Sequence, residues 1–211
     1  MDIKMLYSDE EIFVCIKPVG MLSEETPDRS DPQSLADTLS AQNGGYIGVV
    51  HRLDRGVGGV MVYARTKNAA ARLSAAVQDH ALQKIYLATV HGTPEKSTDT
   101  LVDLLYHDRA KNKTFVVARE RRGVKQAILD YETLRTEETA HGTVSLLKIR
   151  LHTGRTHQIR AQFASRRHPL VGDRKYGSAA HGDIALFCHS LTLPHPKTGV
   201  LMTFTEDAPF G

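Results

Sequence analysis

One carboxylate, Asp54, lies between two arginines in His51-Arg52-Leu53-Asp54-Arg55, and Gly56-Val57-Gly58-Gly59 follows directly. Guanidinium charge on both sides favours the ionised carboxylate, which suits a nucleophile or a base better than a general acid. The glycines allow a ligand to approach the backbone closely. The same residues admit a plainer duty, because an aspartate in a glycine-rich turn commonly caps backbone amides. Basic charge gathers in two further stretches. Arg109, Lys111, Lys113, Arg119, Arg121, Arg122 and Lys125 meet only Glu120, and Arg150, Arg155, Arg160, Arg166, Arg167, Arg174 and Lys175 meet only Asp173. Such stretches can line a phosphate-binding groove, or can be the solvated faces of a hairpin and a helix.

The elements that must position these residues are short and mixed. Ile12 to Ile16 is an apolar, β-favouring run that ends at Lys17-Pro18-Val19-Gly20, a strand followed by a turn. Asp31 before Pro32 predicts a helix from about Pro32 to Ala41, which Asn43-Gly44-Gly45 ends. Tyr46 to Val50 and Gly59 to Ala64 read as strands, so Asp54 falls in the loop between them. Lys67 to His80 carries Ala69, Leu73, Ala76 and Val77 on one helical stripe, and Ile85 to Val90 returns to strand. Phe115 to Ala118 and Val124 to Leu134 predict a basic hairpin around Glu120 to Gly123, followed by a strand from Val144 to Leu151. Thr153-Gly154-Arg155-Thr156 then supplies a turn and a cap for a helix with Ile159, Phe163 and Gln162 inward. Short strands near Ile184 to Leu193 and Val200 to Phe204 complete the pattern. Long hairpins without a regular βαβ rhythm favour an α+β fold on one mixed, largely antiparallel central sheet flanked by helices.

Bulk properties narrow the function classes. With 211 residues and 41% hydrophobic content the chain can bury one substantial core, organised as a single domain or as two lobes sharing a sheet. The net charge of +3 is modest, so a polyanionic partner must be read from the basic clusters. Asp9, Glu10 and Glu11 before Ile12 are unlike a secretory signal, and no window reaches the length of a membrane span. Cys15 and Cys188 are too few for a disulfide framework or a Cys-x-x-Cys site, which fits a reducing cytoplasm. His152 and His157 are five apart, and His181, His189 and His195 lack ligand spacing, so no metal is expected.

His51-Arg52-Leu53-Asp54 followed by glycine resembles the catalytic motif of the RluA-type pseudouridine synthases. Other stretches agree in order. Lys17-Pro18-Val19-Gly20 and Lys84-Ile85-Tyr86 are similar to the Lys-Pro-x-Gly and Lys-x-Tyr motifs. Gly154-Arg155-Thr156-His157-Gln158-Ile159-Arg160 matches its longest motif, with His168-Pro169, Gly172-Asp173 through Tyr176-Gly177, and His195-Pro196 behind it. Ordered matches from about residue 12 to residue 205 are together far more specific than any one alone.

The resemblance implies the pseudouridine synthase fold, with an active-site cleft across the sheet, and an isomerase that acts on a uridine in tRNA or ribosomal RNA after flipping it out. It assigns Asp54 as nucleophile or base, Tyr86 as the ring packed on uracil and Arg160 as the arginine paired with the aspartate. Arg52 would occupy the space of the flipped base. Arg55, Lys84, Arg155, Arg121, Arg122, His157 and Gln158 fall among the RNA contacts, although His157 and Gln158 sit where they could instead tie their loop to its strand. The reaction is intramolecular and redox-neutral, so neither metal nor organic cofactor is required. The expectation is a monomer that binds RNA and no membrane, without the amino-terminal S4 module of many relatives.

Three departures from the family pattern stand out. Arg55-Gly56-Val57-Gly58-Gly59 lacks the hydroxyls usual after the aspartate, Ala161-Gln162 replaces Val-His, and Leu186-Phe187-Cys188 replaces Leu-His-Ala. Asp54, Tyr86 and Arg160 are untouched. Their joint presence argues against the alternative of a non-catalytic RNA-binding protein on the same scaffold, since binding alone makes no demand on that trio.

Overall fold

The computed structural model describes residues 3–26, 33–139 and 142–210, which form two compact units. The first comprises residues up to Lys84 together with Phe187–Ala208, and the second comprises Ile85–Leu186.

In the first unit, β1 (Met5–Ser8) pairs antiparallel with β2 (Ile12–Lys17), and β2 with β4 (Gly58–Ala64). The two-residue β3 (Gly48–Val49) also lies antiparallel to β4. β10 (Leu186–Pro194) runs parallel to β4 and antiparallel to β11 (Leu201–Thr205). α2 (Lys67–Gln78) starts at Thr66, whose hydroxyl accepts from the Ala69 amide, and seals one sheet face with Ala69, Leu73 and Ala76. These pack with Ile12, Val14, Val60, Val62, Leu191 and Leu193. The expected start of α1 at Asp31-Pro32 lies outside the described residues. α1 spans Leu35–Asn43, with Ser34 and Asp37 forming a capping box and Gly44 closing it in the left-handed region at φ 65°.

In the second unit the strands run in the order β5 (Gln83–His91), β9 (Gly142–Leu151), β8 (Val124–Thr139), β6 (Thr98–Asp108), β7 (Lys113–Val117), all antiparallel. α3 (Gln158–Ser165) lies on this sheet, with Ala161 packed among Leu105, Ala127 and Tyr176.

Two sequence expectations are corrected. The basic hairpin does not join the strands on either side of Glu120–Gly123: β6 lies between β7 and β8 and pairs with both. β6 reads Thr-Asp-Thr-Leu-Val-Asp-Leu-Leu-Tyr-His-Asp, whose interspersed acids hide its alternation, yet it buries Leu101 and Leu105. The cap of α3 is His157, held at φ 51° without a side-chain cap bond, while Thr156 instead gives its carbonyl to the Thr114 hydroxyl.

Candidate active site

The Asp54 loop joins β3 to β4 within the first unit, and its anchors are mostly backbone. The Val57 amide donates to the Asp54 carbonyl at 2.9 Å, closing a turn. Ser23 Oγ donates to the Leu53 carbonyl and accepts from the Leu53 amide, and Tyr63 Oη donates to the Ser23 carbonyl. Leu53 and Val57 are buried on either side of the half-buried Asp54, and anchor the loop by its apolar neighbours. Gly59 has to be glycine. It sits at φ 128°, and a Cβ there would stand 2.5 Å from the Cys188 amide nitrogen and carbonyl oxygen, because β4 and β10 run alongside one another at that point.

Two buried groups surround the loop. Lys17 is fully buried and its Nζ donates to the carbonyls of Met21 (2.6 Å), Pro18 (3.0 Å) and Arg55 (3.3 Å). Burial pulls its ammonium down to about 8, and the negative charge of Asp54 opposes that shift. His51 is buried, and its Nε2 accepts from the Val62 amide at 3.2 Å, which places the ring proton on Nδ1. Burial, reinforced by the charge of Lys84, holds His51 well below the ordinary histidine value, so the ring is neutral. Lys84 is itself lowered by burial, with Cys188 opposing. Arg52 is exposed and paired with Glu24 at 2.5 Å, and Arg55 Nε donates to the Gly20 carbonyl at 3.1 Å. Lys17, which stands in the sequence only as part of the Lys-Pro-x-Gly stretch, is a cation whose field reaches Asp54. The available signal was a lysine continuing the apolar run Ile12 to Ile16.

The second unit holds the other candidates. Tyr86 is buried on β5 opposite Ile149 of β9. Arg160 is buried on α3, and its Nε and Nη2 donate to Asp173 Oδ2 (2.7 Å) and Oδ1 (3.0 Å), a two-pronged contact to a carboxylate that is itself 1% exposed. The Arg160 guanidinium also lies 4.9 Å over the Tyr176 ring. Tyr176 Oη accepts from the Thr114 amide at 2.7 Å and bonds His157 Nδ1 at 3.0 Å. Burial raises the Tyr176 phenol, so it stays protonated.

Gln158 is buried, and its amide ties the loop to β8: Oε1 accepts from Thr153 and from the Arg155 amide, and Nε2 donates to the Ile128 carbonyl. Of its two expected duties, this geometry performs the loop-tying one. Arg155 Nε donates to the Gln126 carbonyl, and Arg121 lies 4.6 Å over the Tyr106 ring. Beside them runs an open groove of about 770 Å³, lined by Tyr106, His107, Arg109, Arg122, Lys125 and Arg155 among others. Arg109, Arg122, Lys125 and Arg155 give this groove a cationic lining of the kind that suits a polyanion.

The family model described as RNA pseudouridylate synthase matches residues 11–165. The tRNA pseudouridine synthase C of Yersinia pestis is 31% identical over 96% of this chain and 85% of its own length. The ribosomal large subunit pseudouridine synthase D of Zymomonas mobilis is 30% identical over 98% of this chain and 69% of its own length. Among solved structures, human RNA pseudouridylate synthase domain containing 1 superimposes with a TM-score of 0.84 at 21% identity, covering 100% of this chain and 85% of that one, which identifies the fold. A carboxylate loop, a buried arginine and a basic groove on this fold, under a family match over most of its length, place the chain in the RNA pseudouridine synthase family, as an isomerase that converts uridine in RNA to pseudouridine.

Proposed function

We propose that Asp54 carries the chemistry on a uridine of tRNA or ribosomal RNA, acting as nucleophile toward the sugar or uracil or as the base that starts the reaction. The observation that supports this is that Asp54 sits in the turn of a loop held by Ser23, Lys17 and Gly59, and that buried Lys17 is electrostatically coupled to it. The reaction breaks the N1 to C1′ bond, rotates the uracil, joins C5 to C1′ and transfers the C5 proton away as N1 gains one, so substrate and product are isomers. Tyr86 packs on the uracil and takes the C5 proton, and Arg160 supplies the positive charge that keeps the reacting carboxylate ionised. Substrate names of the relatives support tRNA and ribosomal RNA as the substrate classes.

The target must first leave its stack, at a cost of roughly a few kcal/mol, and exposed Arg52 offsets part of that by occupying the gap. The groove beside Arg122, Lys125 and Arg155 grips the phosphate backbone, giving affinity that falls with salt and little base information. The protein works as a cytoplasmic monomer without metal or organic cofactor. RNA carrying tritium at uridine C5, prepared from cells lacking the protein, tests the reading. Wild type releases label to water and Asp54→Asn does not; equal release by both would sink the assignment of Asp54.

A further inference from the structure

The turn from Leu170 to Ser178 is folded around one carboxylate. The Asp173 amide donates to the Leu170 carbonyl, and the Asp173 carbonyl accepts from the amides of Tyr176 and Ser178. Gly172, at φ 79°, passes so close to Asp183 that a Cβ would meet its carbonyl oxygen at 2.0 Å. The backbone at Asp173 is therefore over-determined, and its side chain is 1% exposed. That carboxylate is spent on Arg160, gripping the guanidinium along its Nε and Nη2 edge. A planar fork held along one edge has a fixed plane. The face of the fork is set as well, by the Tyr176 ring at 4.9 Å.

Tyr176 does not end there. Its hydroxyl is bonded to the Thr114 amide on β7, and Thr114 Oγ1 bonds both His107 Nδ1 (3.0 Å) and the Thr156 carbonyl (2.8 Å). His107, Thr114 and Thr156 all line the basic groove. One hydrogen-bonded chain thus runs from the groove wall to the ring beneath the buried arginine.

We infer that Asp173 and Tyr176 are positioning residues of this isomerase: Asp173 fixes the edge and Tyr176 the face of the Arg160 guanidinium, and the Tyr176 hydroxyl braces that arginine against the wall of the RNA groove. The inference rests on the catalytic reading of Arg160 above. Misplacing a catalytic group by an ångström costs about 10²-fold in rate. A merely structural role predicts something else, namely less folded protein with an unaltered rate in what remains.

Single-turnover tritium release with protein in saturating excess over RNA separates these outcomes, because the saturated rate constant does not depend on the folded fraction. Asp173→Asn, which keeps the shape and removes the charge, is expected to lower that constant about 10²-fold while RNA affinity changes by less than about threefold. Tyr176→Phe, which keeps the ring and deletes the brace, is expected to lower it about fivefold to tenfold. Asp103→Asn, which removes the carboxylate from the outer pair with Arg166 at the carboxyl-terminal cap of the same helix, is expected to run at the wild-type rate. Wild-type rate constants in both Asp173→Asn and Tyr176→Phe, with only a lowered melting temperature, would overturn the inference. If Asp173→Asn does not fold, Tyr176→Phe decides alone, since it loses no packing volume. Asp54→Asn is run alongside: its continued activity would sink the catalytic reading itself, whereas an inactive Asp54→Asn beside full-rate Asp173→Asn and Tyr176→Phe would sink only this inference.

Discussion

Asp54 and Arg160 carry opposite charges on opposite kinds of support. Asp54 stands on a loop held by main-chain carbonyls and amides, with a buried lysine that ties the Arg55 carbonyl of this loop to the Pro18 and Met21 carbonyls of the neighbouring turn. Arg160 stands on a helix and is held by another side chain, the buried carboxylate of Asp173. A loop gripped through its backbone tolerates change in most side chains and fails where the backbone itself is crowded. A side chain gripped by a buried counter-charge fails when that one partner is lost, because the remaining charge is stranded away from water.

Unfolding measurements can break or sharpen this contrast. Asp173→Ala should be the most damaging, at about 3–5 kcal/mol in urea melts, as expected when one partner of a buried pair is removed. Gly59→Ala should come next, costing about 3 kcal/mol or more, since its Cβ would fall on the Cys188 backbone at a φ that side chains rarely adopt. Lys17→Met keeps the volume and leaves carbonyls unsatisfied, so about 1–3 kcal/mol is expected, with slower tritium release as the loop loosens. A Lys17→Met protein as damaged as Asp173→Ala would mean that the loop, too, depends on one charge. His51 adds a pH-dependent element to the first unit. Its folded value is depressed below 6.5, so the unfolded chain takes up the proton first and the stability from the neutral ring is lost as pH falls through about 6.5. His51→Gln should flatten that part of the melting-temperature profile. Smallest of all, Glu24→Gln should change stability by less than about 1 kcal/mol, and less still at high salt, because its partner Arg52 is exposed.

Much of this site is legible in the residues, and the rest is hidden for identifiable reasons. The loop position of Asp54 follows from β-type runs on either side of a glycine-rich insert, and the inward face of α3 follows from the spacing of Ile159 and Phe163. The pairing of β7 and β8 with β6 is not legible, because alternation shows that a stretch is a strand without naming its neighbour. Lys17 reads as a surface residue by type, and only the loop wrapped around it supplies the carbonyls that make its burial tolerable. Asp173 is visible as a motif residue thirteen positions beyond Arg160, but the contact depends on how the Leu170–Ser178 turn folds back, which local spacing does not encode.

The pairing of Gly58 and Gly59 with Phe187 and Cys188 also bears on how the protein is made. The Asp54 loop is completed by a strand that the ribosome delivers only after Ile85–Leu186, the long continuous segment of the second unit. The second unit can therefore collapse while synthesis continues, whereas the first must wait with β4 exposed along the side that β10 will cover. Activity should emerge as a late, all-or-none event of biogenesis, so a ribosome stalled before Phe187 would hold a folded groove and no working carboxylate.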